Sequence, residues 1–220
     1  AINLVDKKLY VGGTAGTNVI FLDSTSSVGL GTANTFTQLN TFSAGISASG
    51  GTFASDITVN SMTVGVGGGG DSSNVAVGES ALYSNTNGNR NVAVGESALY
   101  SNTNGSYNVG VGRGALGSNT EGSSNVGVGL GALSQSDTGE GNVGVGNSAL
   151  GGNITGSNKT AIGSVAGQYR GTATSALITG TGGIYIGYHA RGSANAQTNE
   201  IVIGVDALGL GSNTAVIGAT

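Results

Sequence analysis

Residues 74–90 read NVAVGESALYSNTNGNR and residues 91–107 read NVAVGESALYSNTNGSY, with fifteen of seventeen positions identical. Weaker copies follow. The glycine that closes each NVxVG-like run falls at Gly78, Gly95, Gly112, Gly129, Gly146 and Gly163, always seventeen residues apart. A second glycine keeps the same step at Gly88, Gly105, Gly122, Gly139 and Gly156. So does an alanine, at Ala81, Ala98, Ala115, Ala132, Ala149 and Ala166. Tandem units of this size are the signature of a solenoid, in which each unit packs on its neighbours.

Within each unit the apolar positions alternate. Val75 and Val77 flank Ala76, and Val109 and Val111 flank Gly110. Period two predicts a β-strand whose two valines share one face. The opposite face carries only Ala or Gly. The larger side chains are expected inside the roll: Val75, Val77, Val92, Val94, Val109, Val111, Val126, Val128, Val143, Val145, Ile162, Ile186, Ile203 and Ile217, with Ala81, Ala98, Ala115, Ala132 and Ala149. The Ala/Gly face is then expected to pack closely against another copy of the chain.

After each strand come a turn, a short ALY- or ALG-like run, and a polar stretch of Asn, Thr and Gly. Those residue types tolerate left-handed backbone and local side-chain turns. One coil is therefore strand, turn, short second strand, turn. Coils stacked at about 4.8 Å place identical residues over one another. Asn74, Asn91, Asn108, Asn125 and Asn142 are predicted to form a ladder in which each amide bonds the next. The column Glu79, Glu96, Arg113, Leu130, Asn147 varies too freely for an interior and is predicted to face water.

Past Gly163 the step to Gly187 is 24 instead of 17, so seven residues enter within QYRGTATSALITGTGG, 168–183. The pattern then returns as IYIGYHA, NEIVIGVDA and NTAVIG. Upstream, residues 1–70 lack the repeat; short alternating strands in an elongated shaft are expected there. GVGGGGD, 65–71, reads as a flexible junction or tight bend. The predicted organisation is a shaft over 1–70, a 17-residue-repeat roll over 71–168, an insertion loop over 169–183 and further coils over 184–220.

Composition narrows the classes. The 220 residues include 44 glycines and no proline, cysteine or tryptophan; only 8% are charged and the net charge is −4. Disorder usually pairs low hydrophobicity with high net charge, which does not fit, and collagen needs glycine at every third position. No cysteine means no disulfide and no thiolate metal site. No apolar stretch is long enough for a membrane-spanning helix, so membrane insertion is not expected. AINLVDKKLYVGG, 1–13, lacks the basic segment and apolar core of a secretory signal. The seven Lys and Arg are scattered, so no nucleic-acid partner is expected.

Chemistry-bearing motifs are sparse. GVGNSA at 144–149 and GVGLGA at 127–132 match a dinucleotide fingerprint, but no helix follows either, and tandem glycines produce such matches freely. His189 is the single histidine; a metal site or a catalytic role is not expected of it. GGGGD resembles one turn of a repeated calcium motif but occurs once. The acids are scattered, whereas glycoside hydrolysis needs a carboxylate pair. No catalytic residue, cofactor or bound metal is expected, and the chain is read as a non-enzyme. Tyr83, Tyr100, Tyr107, Tyr169, Tyr185 and Tyr188 suit either sugar stacking or the covering of seams between chains. Tyr169, Arg170, Tyr188, His189 and Arg191 lie at or near the insertion and form the candidate receptor-contact set.

A roll this thin buries few large side chains, so an obligate homo-oligomer is expected, most simply three parallel chains. NTAVIG at 213–218, NEIVIG at 199–204 and KTAIG at 159–163 resemble the NSVAIG-type coils in the heads of YadA-like trimeric autotransporter adhesins. That resemblance covers about residues 74–218 and implies a trimeric left-handed parallel β-roll, although the 17-residue unit is longer than the adhesin repeat. FTQLNTFSAGISASGGTF at 36–53, the NVAVGESALYSNTNG units, and TNEIVIGVDALGLGSNTAVIG at 198–218 together resemble the distal part of bacteriophage tail fibres. In that family this order often precedes a self-cleaving intramolecular chaperone of the endosialidase type. The implied function is host attachment through a cell-surface glycan or protein, with the chain located on the virion, outside the cell. An adhesin head on a bacterial surface is the alternative, and a polysaccharide-degrading tailspike a third reading.

Overall fold

The structure is a computed structural model. It describes the backbone of residues 9–12, 18–21, 57–59 and 62–63, and both backbone and side chains of residues 64–167, 179–193 and 196–218. The chain divides into two compact units, Ala1–Gly51 and Thr52–Thr220. In the first, β1 (Leu9–Gly12) pairs antiparallel with β2 (Asn18–Phe21), Leu9 opposite Phe21.

The second unit is an all-β parallel solenoid of about eight turns. Its described strands form one eleven-stranded sheet in chain order. β3 (Ile57–Val59) and β4 (Met62–Gly65) are antiparallel and lead into the parallel set. That set is β5 (Val75–Val77), β6 (Val92–Val94), β7 (Val109–Val111), β8 (Val126–Val128), β9 (Val143–Val145), β10 (Thr160–Ile162), β11 (Ile184–Ile186), β12 (Ile201–Ile203) and β13 (Ala215–Ile217). β3 and β4, read from sequence as shaft, are thus the first two strands of the solenoid's own sheet.

Register follows the repeat. Val75 pairs with Val92, Val92 with Val109, Val109 with Val126 and Val126 with Val143. The 24-residue step leaves it intact, because Thr160 pairs with Ile184. Gly167 N donates to Ala190 O at 2.8 Å and Gly182 N to Ser157 O at 3.1 Å. The extra residues are therefore confined between 167 and 182, where 168–178 lie outside the described residues.

The closing glycine of each strand has a strict geometric reason. Gly78, Gly95, Gly112 and their successors to Gly204 hold φ between 127° and 140°, a region essentially restricted to glycine. They also stack: a Cβ on Gly112 would sit 2.5 Å from the carbonyl oxygen of Gly129. The glycine run 67–70 serves differently. Gly68 N donates to Leu82 O at 2.9 Å, and Asn85 Nδ2 to Gly68 O at 3.2 Å. A Cβ on Gly68 would meet Tyr83 O at 2.6 Å. The run expected to be a flexible junction or a tight bend forms a 3-10 turn, Gly68–Gly70, bonded against the first coil.

Which strand face lies inside is the reverse of the sequence expectation. The middle residue of each strand is buried: Ala76, Ala93, Gly110, Gly127, Gly144, Ala161, Tyr185, Val202 and Val216. Leu82, Leu99, Leu116, Leu133 and Leu150 join them, as do Ala81, Ala98, Ala115, Ala132 and Ala149. Val77, Val92, Val94, Val109, Val111, Val126, Val128, Val143, Ile186 and Ile203 are half-buried on the outer face. Val75, Val145, Ile162 and Ile217 are exposed there, at 45, 36, 45 and 81%. The cause is width. A Cβ on Gly110 would already lie 3.1 Å from Ala115 O and 3.3 Å from Leu99 Cγ, so in the regular coils, β5 to β10, the strand centre admits alanine or glycine and not valine.

Polar columns complete the interior. Asn74, Asn91, Asn108, Asn125 and Asn142 are buried. Each Oδ1 accepts the backbone N–H of the residue one coil on, from Asn91 N at 2.8 Å to Lys159 N at 3.0 Å. Each Nδ2 donates to a turn carbonyl fourteen residues on, Gly88, Gly105, Gly122, Gly139 and Gly156, at 2.7–2.9 Å. The ladder thus runs from side chain to backbone; a direct amide-to-amide bond appears at Asn142–Asn125, 3.1 Å. Buried amides placed this way satisfy turn groups that water cannot reach.

Candidate functional site

The candidate contact residues Tyr188, His189 and Arg191 come together at the turn after β11; Tyr169 and Arg170 lie outside the described residues. Gly187, at φ 127°, ends the strand, and His189 adopts φ 56°. The same turn position carries Ser148 and Asp206 at φ 52° and 55°. His189 and Asp206 therefore stack across one coil, with Nδ1 and Oδ1 2.8 Å apart. Arg191 Nη1 stands 3.0 Å from His189 Nδ1 and 3.8 Å from Asp206 Oδ1.

Arg191 occupies the column that holds Leu150 in an earlier coil. Its N–H bonds Ala207 O as Leu150 N bonds Ala166 O. The side chain starts in the interior, and its guanidinium emerges at the rim. Its Nε is buried without a partner. Tyr188 is 55% exposed and tilts against the His189 ring at 5.9 Å. The rim thus offers an open aromatic face, guanidinium donors and a carboxylate acceptor, with opposite charges close to balance. Asp206 was missed from sequence. Its signal was there: it stands seventeen residues after His189, one coil on in the same column.

A second group lies at the other end of the repeat. Tyr83 and Tyr100 stack with centroids 5.4 Å apart and planes within 5°. Arg90 and Tyr107 occupy the last position of the two near-identical units. They touch: Nη1 donates to the Tyr107 hydroxyl at 2.8 Å and the guanidinium lies 5.2 Å from the ring centroid. Arg113 pairs with Glu96 at 3.2 Å, an exposed pair whose energetic worth is small. Tyr185, unlike these, is buried inside the solenoid.

A continuous apolar feature is the outer face of β5–β13, two columns of Val and Ile with Thr160 and Ala215 interspersed. Among the described residues no group of three or more His, Cys, Asp or Glu is placed to hold a metal ion. No helix among them is long and apolar enough to cross a membrane. No family model, no curated protein and no solved structure matches the chain.

Proposed function

We propose that this chain is a structural, receptor-contacting segment of a homotrimeric fibre, most simply the distal tail fibre of a bacteriophage. One observation supports the trimer above others: the valine and isoleucine columns run the length of the parallel sheet on its outer face. Monomeric proteins rarely leave so large a contiguous apolar surface in water. A second and third copy present the same columns in the same register, so three parallel chains cover one another without a further partner. The contacting face is the valine face, in place of the Ala/Gly face expected from sequence. Left-handed winding belongs to the same proposal and rests on the family resemblance, and a shaft belongs to it only ahead of β3, where it rests on the alternating sequence.

The tail-fibre reading rests on the order of segments 36–53, 74–107 and 198–218. In it the solenoid is a rigid spacer on the virion surface, and the Tyr188–His189–Arg191–Asp206 rim contacts a host-surface glycan. Tyrosine offers a stacking face and the ionic groups offer hydroxyl partners. Three copies present three rims, so weak contacts add. The bacterial adhesin head remains the alternative and shares the same trimer.

Sedimentation equilibrium tests the assembly, with three times the chain mass expected at micromolar concentration. A folded monomer there would sink the trimer and leave the rim to be tested alone. For the rim, binding of the labelled protein to host cells should fall at least tenfold in Tyr188→Ala/Arg191→Ala with the sedimentation coefficient unchanged. Unaltered binding would move the receptor site elsewhere.

A further inference from the structure

A second buried polar column runs beside the first. Asn85, Asn102, Asn119 and Asn153 occupy it, and Ser136 takes the place between the last two. Backbone geometry does not change there. Ser136 N donates to Leu133 O at 3.0 Å, as Asn119 N does to Leu116 O at 3.1 Å and Asn153 N to Leu150 O at 2.9 Å. Only the side chain is shorter.

The intact part of the column shows what an amide does in that place. Asn102 Nδ2 donates to Asn85 Oδ1 at 2.9 Å and to Gly105 O at 3.0 Å. Asn119 Nδ2 donates to Asn102 Oδ1 at 2.8 Å and to Gly122 O at 2.9 Å. At Ser136 these bonds fail together. Asn119 Oδ1 and Ser136 Oγ are buried without partners. Gly139 O accepts Asn125 Nδ2 alone, at 2.7 Å. Gly88, Gly105, Gly122 and Gly156 instead each accept two amides. Asn153 Nδ2 donates to Gly156 O at 2.8 Å but reaches no acceptor in the preceding coil.

We propose that one structural water molecule binds here and takes over the work of the missing amide. Its two hydrogens go to Asn119 Oδ1 and Gly139 O, and its lone pairs accept Asn153 Nδ2 and the Ser136 hydroxyl. Shortening an amide to a hydroxyl frees about the volume one water fills, roughly 30 Å³ in the liquid, and such a site needs two to four polar partners. Two acceptors and two donors match water. A cation would face the Asn153 amide N–H, which can only donate, and an anion two carbonyl acceptors, so neither fits. Ser136, Asn119 and Asn153 are fully buried, so the water exchanges only when the coil opens.

The test uses the full chain in its assembled state. A crystal structure near 1.5 Å, a resolution at which ordered water is visible, should show a single peak within hydrogen-bonding distance of Asn119 Oδ1, Gly139 O and Asn153 Nδ2. In solution, magnetisation should pass from a long-lived water to the Asn153 side-chain amide. Ser136→Asn restores the column and displaces the water, so peak and transfer should vanish while the thermal midpoint rises. Ser136→Ala removes one partner, and the midpoint should fall while the peak stays. A wild-type crystal with no peak, or with Asn119 Oδ1 bonded to a protein donor, overturns the proposal, and so does magnetisation transfer that persists in folded Ser136→Asn. If Ser136→Asn fails to fold, the wild-type peak and transfer still decide.

Discussion

Coils of one parallel sheet fill the same interior in two ways. From Asn74 to Gly156 each inward-facing column repeats a residue or a close substitute: Asn on Asn, Ala or Gly on Ala, Leu on Leu. From Lys159 onward the columns change chemistry. The asparagine column continues as Lys159, Gly183, Glu200 and Thr214, whose carbonyls accept the same inter-coil bonds from Val143, Thr160, Ile184 and Ile201. The alanine column becomes Tyr185, then Val202 and Val216, while Gly167 and then Arg191 follow Leu150. Identity, broken at Ser136, satisfies the first set of coils; compensation satisfies the second. What both keep is the closing glycine, so backbone shape is the fixed element and side-chain identity the adjustable one.

Breaking the shared element should therefore have the largest effect. Gly112→Ala adds a Cβ at φ 129° and 2.5 Å from Gly129 O. Strain and clash together are expected to cost about 4 kcal/mol or more, a size reserved for such defects. Gly114→Ala is the control. It has φ 64° and no atom within 4 Å of a built Cβ, and Ser97 stands in its place one coil earlier, so it should cost only about 1 kcal/mol. Urea denaturation of both variants at one protein concentration measures the contrast. Equal costs would mean that the glycine column is not the determinant.

How much of this was legible depends on symmetry. The seventeen-residue period, the strands and the stacking of Asn74 with Asn91, Asn108, Asn125 and Asn142 follow from spacing alone, whereas the second buried column at Asn85, Asn102, Asn119 and Asn153 was read only as turn. Which strand face is inside does not, because alternation looks the same from both sides. Deciding it needs the interior width, set by how Leu99 and Ala115 crowd the strand centre. A clue was present: no residue larger than alanine stands between Ala76 and Ala161 in the middle column, whereas the flanking columns take Val, Ile and Thr. The rim was half legible. Tyr188, His189 and Arg191 attract notice by type. Arg191's descent from a leucine column is hidden by the insertion, and Asp206 emerges only when columns are read at the repeat step.

Compensation itself can be tested next. Tyr185 fills the space that leucine fills elsewhere. A Cβ on Gly167 would lie 3.1 Å from its ring and 2.8 Å from Leu150, and one on Gly183 2.6 Å from its hydroxyl. Tyr185→Ala should cost about 3–5 kcal/mol through the cavity left behind. Gly167→Leu alone should cost about 1–3 kcal/mol through overpacking. The double variant recreates the packing of the regular coils, where the small strand centre Gly144 lies against Leu133. It should recover about 1–2 kcal/mol relative to the sum. Additive costs would mean that the two positions do not share one volume.

The smallest expected effect separates the two sets of coils by pH. Lys159 ends the asparagine ladder, buried, its Nζ donating to Asn153 Oδ1 at 2.6 Å. Burial pushes its pKa down to about 8 from 10.5. Below pH 8 the folded and unfolded chains both carry the proton, and the fold bears the cost of a buried ammonium. Between pH 8 and 10.5 the unfolded chain binds more protons, so stability rises with pH. Tyr185 acts oppositely. Burial, followed by the Glu200 charge and hydrogen bond, raises its pKa above the ordinary 10, so above about pH 10 the folded chain holds the extra proton and stability falls. The net gain is confined to pH 8–10 and should be about 2 kcal/mol, since a tenfold difference in proton affinity between the folded and unfolded chains is worth about 1.4 kcal/mol. Lys159→Met should be flat across that window yet keep the fall above pH 10. Replacing an asparagine of the regular ladder, as in Asn108→Ala, should lower stability at every pH and leave the rise in place. A rise that survives Lys159→Met would assign the titration to another group.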